Sequence, residues 1–149
     1  MMKMSTKGRY GLRFMIDLAT NGNAQNKVSL QQVAKRQAIS EKYLWQIANR
    51  LKAAGLIRAT AGPHGGYALA KPPLTITLRD ILTVLEGDCM LVACVTTPTV
   101  CPRSNACVSR EVWKEVNEKL VEVMQSITLS AMVAKERAMA ENSMPAYSI

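Results

Sequence analysis

The sequence predicts a mainly α-helical protein with one small β-hairpin, a winged helix-turn-helix joined to a long dimerisation helix. Three features predict it. Two short amphipathic segments, each opened by a serine, are separated by a tight turn. Two short apolar runs around Gly62-Pro63-His64-Gly65-Gly66 follow directly. The second half then carries one long segment that is apolar on two faces. The expected organisation is a winged helix-turn-helix over residues 1–75, a connecting helix and cysteine loop over 76–108, and the dimerisation and C-terminal helices over 109–149, within one compact domain.

Each element has a local cause. Tyr10, Leu12, Phe14, Met15, Leu18 and Ala19 recur at helical spacing and predict a first helix over about residues 7–20, closed by Asn21-Gly22-Asn23. Ser29 and Gln32 fit a capping box that opens a short helix ending near residue 36. Ser40 caps the next helix, about 41–54, which Gly55 terminates. Residues 56–61 and 67–70 are the strands of a hairpin, the wing. Thr77 and Asp80 start a helix running to about residue 86. Residues 87–108 read as an irregular loop, followed by helices over about 109–127 and 129–140.

Charge is distributed unevenly. The chain carries +8 overall, but residues 1–80 hold thirteen Lys and Arg against three acids, whereas residues 81–149 hold six against eight. A basic half of this kind is suited to polyanions, and duplex DNA is the commonest, because neutralising phosphates releases condensed counterions. The chain lacks an apolar run long enough to span a bilayer, and its polar, basic start lacks a signal-peptide core, so a cytoplasmic, membrane-free protein is expected. Enzyme classes find little support: there is no Cys-x-x-Cys, and the lone histidine pairs with no nucleophile in the pattern.

In a helix-turn-helix the second helix enters the major groove with its N-terminal residues toward base edges. Here these are Ser40, Glu41, Lys42, Tyr43, Trp45 and Gln46. Gln46 can bond adenine bidentately, Lys42 can reach guanine or phosphate, and Ser40 can bond either. Tyr43 divides between this face and the core. Arg50 and Lys52 lie further along and suit phosphates. In the wing, Arg58, His64 and Gly65 are candidates for backbone contact, and Lys7 and Arg9 make the first helix basic. The long helix is apolar at Val112, Trp113, Val116, Leu120, Val123 and Ile127, which gives it a face for a second subunit. A twofold homodimer would pair two recognition helices on a palindromic promoter site.

All four cysteines, Cys89, Cys94, Cys101 and Cys107, fall in one short window. Packing cysteines scatter through a core, so the clustering points to chemistry. The spacing lacks zinc knuckles, and thiolates around an irregular loop, one followed by Pro102, suit an iron–sulfur cluster. Cys89 is either a fourth ligand or an ordinary half-buried thiol.

Ser5-Thr6-Lys7-Gly8-Arg9-Tyr10-Gly11-Leu12-Arg13, Gly62-Pro63-His64-Gly65-Gly66-Tyr67, the loop from Cys94 through Cys101-Pro102 to Cys107, and Ile127-Thr128-Leu129 together resemble the IscR/NsrR family of Rrf-type winged-helix regulators. The resemblance implies a homodimer joined by the long helix, with a cluster held by Cys94, Cys101 and Cys107 whose state sets DNA affinity. A 2Fe–2S cluster is favoured over 4Fe–4S. Relatives of this kind sense cluster supply, nitric oxide, iron or redox stress, and one branch works with a partner enzyme and no cluster. The chain departs from the pattern at four places. Arg110 stands where a ligating histidine is usual, Arg9 where some members place a carboxylate, Ala61 where the wing often has arginine, and Trp45 where a recognition-helix glutamate can set cluster-dependent specificity. The alternative reading is a cluster-free regulator of the same fold that senses oxidants through thiols or acts with a partner protein.

Overall fold

The computed structural model describes residues 3–144. Helix α1 (Thr6–Asn21) opens on Ser5, whose hydroxyl accepts the Gly8 amide at 3.1 Å, and it buries Phe14, Met15 and Leu18. Helix α2 (Leu30–Gln37) begins with the expected capping box: Ser29 Oγ accepts from Gln32 N at 3.1 Å, and Gln32 Oε1 accepts from Ser29 N at 2.9 Å. The turn to helix α3 (Glu41–Ala53) runs through Ala38 at φ 53°, a left-handed position that a non-glycine residue rarely adopts.

The strands β1 (Ile57–Thr60) and β2 (Gly66–Leu69) pair antiparallel, with Ile57 opposite Leu69 and Thr60 opposite Gly66. Val28 extends this ribbon by one antiparallel bridge to Tyr67, with hydrogen bonds of 2.9 and 2.7 Å, and so joins the wing to the start of the helix-turn-helix. Helix α4 (Leu78–Glu86) is capped by Thr77 and Asp80. It packs along α1 so closely that a Cβ at Gly11 would overlap Leu85 Cδ1.

The segment expected to be irregular is a string of short turns: helix α5 (Ala93–Thr96) and two 3₁₀ turns, Pro98–Val100 and Ser104–Ala106. Helix α6 (Val108–Ser126) leans on α4 and α5, and helix α7 (Leu129–Ser143) returns to α1. Paired hydrogen bonds of 2.8 Å, Leu78 N to Ile127 O and Leu129 N to Ile76 O, lock the α6–α7 junction onto the start of α4. The core is continuous from Phe14, Met15 and Leu18 through Leu44, Ile47, Leu51 and Ile57 to Ile76, Ile81, Leu85 and Leu129.

One buried charge organises the helix-turn-helix. Asp17, 1% exposed in α1, accepts from Arg36 Nε at 3.0 Å, Arg36 Nη2 at 2.7 Å and Gln37 Nε2 at 2.9 Å. A buried carboxylate survives only when its lone pairs are filled, and here the C-terminal turn of α2 fills them. Arg13 in turn donates to the Gln37 side chain at 3.1 Å and to the Gln37 carbonyl.

Candidate nucleic-acid interface and cysteine loop

Helix α3 is divided cleanly between core and solvent. Leu44, Ile47, Ala48 and Leu51 are buried, while Lys42, Trp45, Gln46, Arg50 and Lys52 are exposed. Ser40 caps it by accepting the Tyr43 amide at 3.2 Å, which leaves the Ser40 hydroxyl proton free to donate. Tyr43 is half-buried, its ring edge-on to Tyr10 with centroids 5.9 Å apart, so packing holds it more than solvent does. Tyr10 also lies under the guanidinium groups of Arg9 and Arg13, at 5.9 and 5.4 Å. Lys7 joins Tyr43, Trp45, Gln46, Asn49 and Arg50 around a shallow groove between α1 and α3. Of the basic candidates, this groove brings Lys7 of α1 and Arg50 of α3 together.

Arg58 and His64 are exposed in the wing. Gly62 and Gly66 take φ of 103° and 146°, the left-handed geometry expected at a hairpin tip. Gly65 is glycine for another reason: a Cβ there would overlap the Thr60 carbonyl. Arg36, though partly exposed, is committed to Asp17. That carboxylate's hydrogen bond holds its guanidinium above the usual arginine range, so it serves the fold.

The four thiols are free and half-buried. Cys94 lies in α5 and Cys101 follows the first 3₁₀ turn. Cys107 is the N-cap of α6, its sulfur accepting the Arg110 amide at 3.4 Å. The Arg110 guanidinium donates to the Cys94 carbonyl at 2.8 Å and pairs with Glu111 at 3.2 Å, stitching the loop to α6. Cys89 stands apart beside α4. Burial, then the charges of Glu86 and Asp88, push its thiol above the ordinary range, with Arg79 opposing. Among the described residues, no three Cys, His, Asp or Glu side chains converge as a metal site. The donor types suit an iron–sulfur cluster, but the loop as folded does not gather them.

Along α6, Val112, Trp113, Val116, Leu120 and Val123 form an exposed apolar stripe, whereas Asn117 and Met124 face inward. Val108 at 79% exposure extends the stripe, and Ile127 falls past the helix end and is half-buried. Several features gave little sequence signal. Asp17 is a lone acid within an apolar run, the one hint of its buried pairing. The Arg110 stitch and the Ser5–Glu86 hydrogen bond join residues far apart in sequence.

A basic helix-turn-helix with its outer helix face unpacked and a hairpin wing directly behind it defines a winged-helix, DNA-binding transcription regulator. The chain belongs to the Rrf2 family, described as an iron-dependent transcriptional regulator, whose profile matches residues 4–135. It is 36% identical over 132 residues to protein rrf2 of Nitratidesulfovibrio vulgaris, covering 89% of this chain and 87% of the relative. The structure of CymR, the global cysteine regulator of Bacillus subtilis, superposes with a TM-score of 0.77 at 36% identity, covering 91% of this chain and 98% of CymR. The T. potens IscR structure gives 0.73 at 37% identity, with 96% and 92% covered. Another relative, 37% identical over 133 residues with 89% of this chain and 91% of the relative covered, is named HTH-type transcriptional regulator CymR of Bacillus subtilis. No helix among the described residues is long and apolar enough to cross a membrane.

Proposed function

We propose that the chain binds palindromic promoter DNA as a homodimer, and that an iron–sulfur cluster on Cys94, Cys101 and Cys107 sets its affinity. The observation that carries DNA binding is the division of α3, whose apolar side is locked in the core while Lys42, Gln46, Arg50 and Lys52 stand free. In this reading α3 enters the major groove, Gln46 and Lys42 reach base edges, and Arg50 and Lys52 hold phosphates. Arg58 and His64 bring the wing to the backbone beside the adjacent minor groove. The α6 stripe supplies the second copy, because so much exposed Val, Leu and Trp on one helix face calls for an apolar partner.

The cluster rests on donor chemistry, on three half-buried free thiols in one loop, and on the family's iron-dependent description. Loading it requires the loop to draw those thiols together. Anaerobic reconstitution with ferrous iron and sulfide, followed by visible and electron-paramagnetic spectra, tests it. The expected protein is coloured, and Cys94→Ala, Cys101→Ala or Cys107→Ala bleaches it. A colourless, iron-free product removes the cluster and leaves DNA binding to be judged separately by its salt dependence.

A second reading has specific support. The separated thiols and the likeness to a cysteine regulator favour control without a cluster, through reversible thiol oxidation or a partner protein. Under it, peroxide lowers the thiol titre of metal-free protein, reductant restores it, and DNA affinity follows.

A further inference from the structure

We infer that Trp45 is a specificity-determining residue that reads the 5-methyl group of thymine, an inference that rests on the DNA-binding reading above. Trp45 is 56% exposed on a helix whose other large apolar side chains, Leu44, Ile47 and Leu51, are at most 1% exposed. Helical geometry explains the contrast. At about 100° per residue, the buried residues occupy one side of α3, and Lys42, Trp45 and Asn49 run down the opposite side at i, i+3 and i+7. Gln46 lies beside that line. The indole therefore stands on the solvent side of α3, toward one edge of it, with Gln46, Asn49 and Arg50 lining the same shallow groove.

A large side chain left exposed on a helix that enters a groove comes within reach of base edges, and its chemistry restricts what it can recognise. An indole has one donor, Nε1–H, and no acceptor, so it cannot make the bidentate contacts that glutamine or arginine make with adenine or guanine. Its large surface is apolar. In the major groove the base pairs present one apolar group, the C5 methyl of thymine. Contact with that methyl removes both from water, and Nε1–H remains able to donate to a nearby base or phosphate oxygen. Left in solvent, the ring gains nothing for the fold: the aromatic contacts of this region link Tyr10 to Tyr43 and bypass it. Lys42 and Gln46 then anchor and orient the helix, and Trp45 adds an apolar reading that they cannot supply.

The test compares thymine with deoxyuridine, which differs by that methyl alone. Duplexes retained by the full-length protein from a random library are resynthesised with deoxyuridine at one thymine position at a time, symmetrically in both half-sites. Affinity is measured at fixed salt by fluorescence anisotropy. At one position the wild-type protein should lose about fourfold for each thymine replaced, the value of one buried methyl group. Trp45→Ala should bind the thymine and uracil duplexes equally, and Trp45→Phe should keep part of the preference. Because the side chain is exposed, these variants are expected to fold, and circular dichroism checks that they do. If the wild type tolerates uracil everywhere, or Trp45→Ala keeps the wild-type ratio, the inference is wrong while DNA binding stands. If no duplex is retained at all, the DNA-binding reading fails and the inference falls with it.

Discussion

Asp17 and Arg36 illustrate how unevenly the two partners of one ion pair share its cost. Asp17 is 1% exposed and the Arg36 side chain 37%. Removing Asp17 frees a guanidinium that can turn to water. Removing Arg36 strands a buried carboxylate with Gln37 as its remaining partner. Arg36→Ala should therefore cost about 3 kcal/mol in urea unfolding and Asp17→Ala about 2 kcal/mol, since screening discounts the more exposed end. Equal losses would contradict this account. Cys89 offers a pH-dependent case. Its thiol is pushed up by burial, with Glu86 and Asp88 adding to it, so the folded protein disfavours the thiolate. Alkylation at Cys89 near pH 8 should be slower in the folded protein than in urea, and the difference should close as pH rises through the raised value. The same sign makes its contribution to stability intact below the unfolded thiol's pKa and lost as pH rises through the folded one.

Between elements, the closest approach is that of α1 to α4. Gly11→Ala would gain about 1 kcal/mol in helix propensity, yet its methyl would overlap Leu85, which is 2% exposed and cannot retreat. Overpacking should win, for a net loss of about 1–2 kcal/mol in thermal or urea unfolding. On α3, Arg50 and Lys52 are exposed in the last turn and suit phosphates. Arg50→Ala or Lys52→Ala should reduce the slope of log affinity against log salt by about two for a dimer, nearly equally on different sequences. Gln46→Ala should instead relax preference at one base position. Measuring both slope and sequence preference separates the two roles.

For the whole molecule, the decisive surface is the stripe Val112, Trp113, Val116, Leu120 and Val123. Val116→Glu together with Val123→Glu should convert a dimer into a folded monomer by light scattering, because neither side chain supports the chain's own core. Binding to a palindromic duplex should weaken at least a hundredfold as the second half-site contact is lost. A wild-type protein that is monomeric at micromolar concentration would overturn the dimer proposal. The same scale explains why α6 bears two apolar aspects: Asn117 and Met124 turn toward α4 and the cysteine loop, where Asn117 Oδ1 accepts the Leu91 amide at 3.4 Å.

Much of this architecture was legible from residue order. Serine and threonine caps, the two capping boxes and the Gly-Pro turn act within a few residues, so their signals are local; helix starts and the wing followed from them. The division of α3 followed from periodicity alone. The short turns between Ala93 and Ala106 did not, because weak local preferences there are decided by packing against α6. Burial of Asp17, placement of Arg110 across Cys94 and Cys107, and the close approach of Gly11 to Leu85 of α4 all join residues distant in sequence. Sequence by itself determined the element order, the basic half and the candidate thiols, because those properties reside in single residues and their near neighbours. Only the tertiary structure decided which basic residues are free for a partner, which thiols lie apart, and which apolar face is left uncovered, because exposure is a property of the packed molecule.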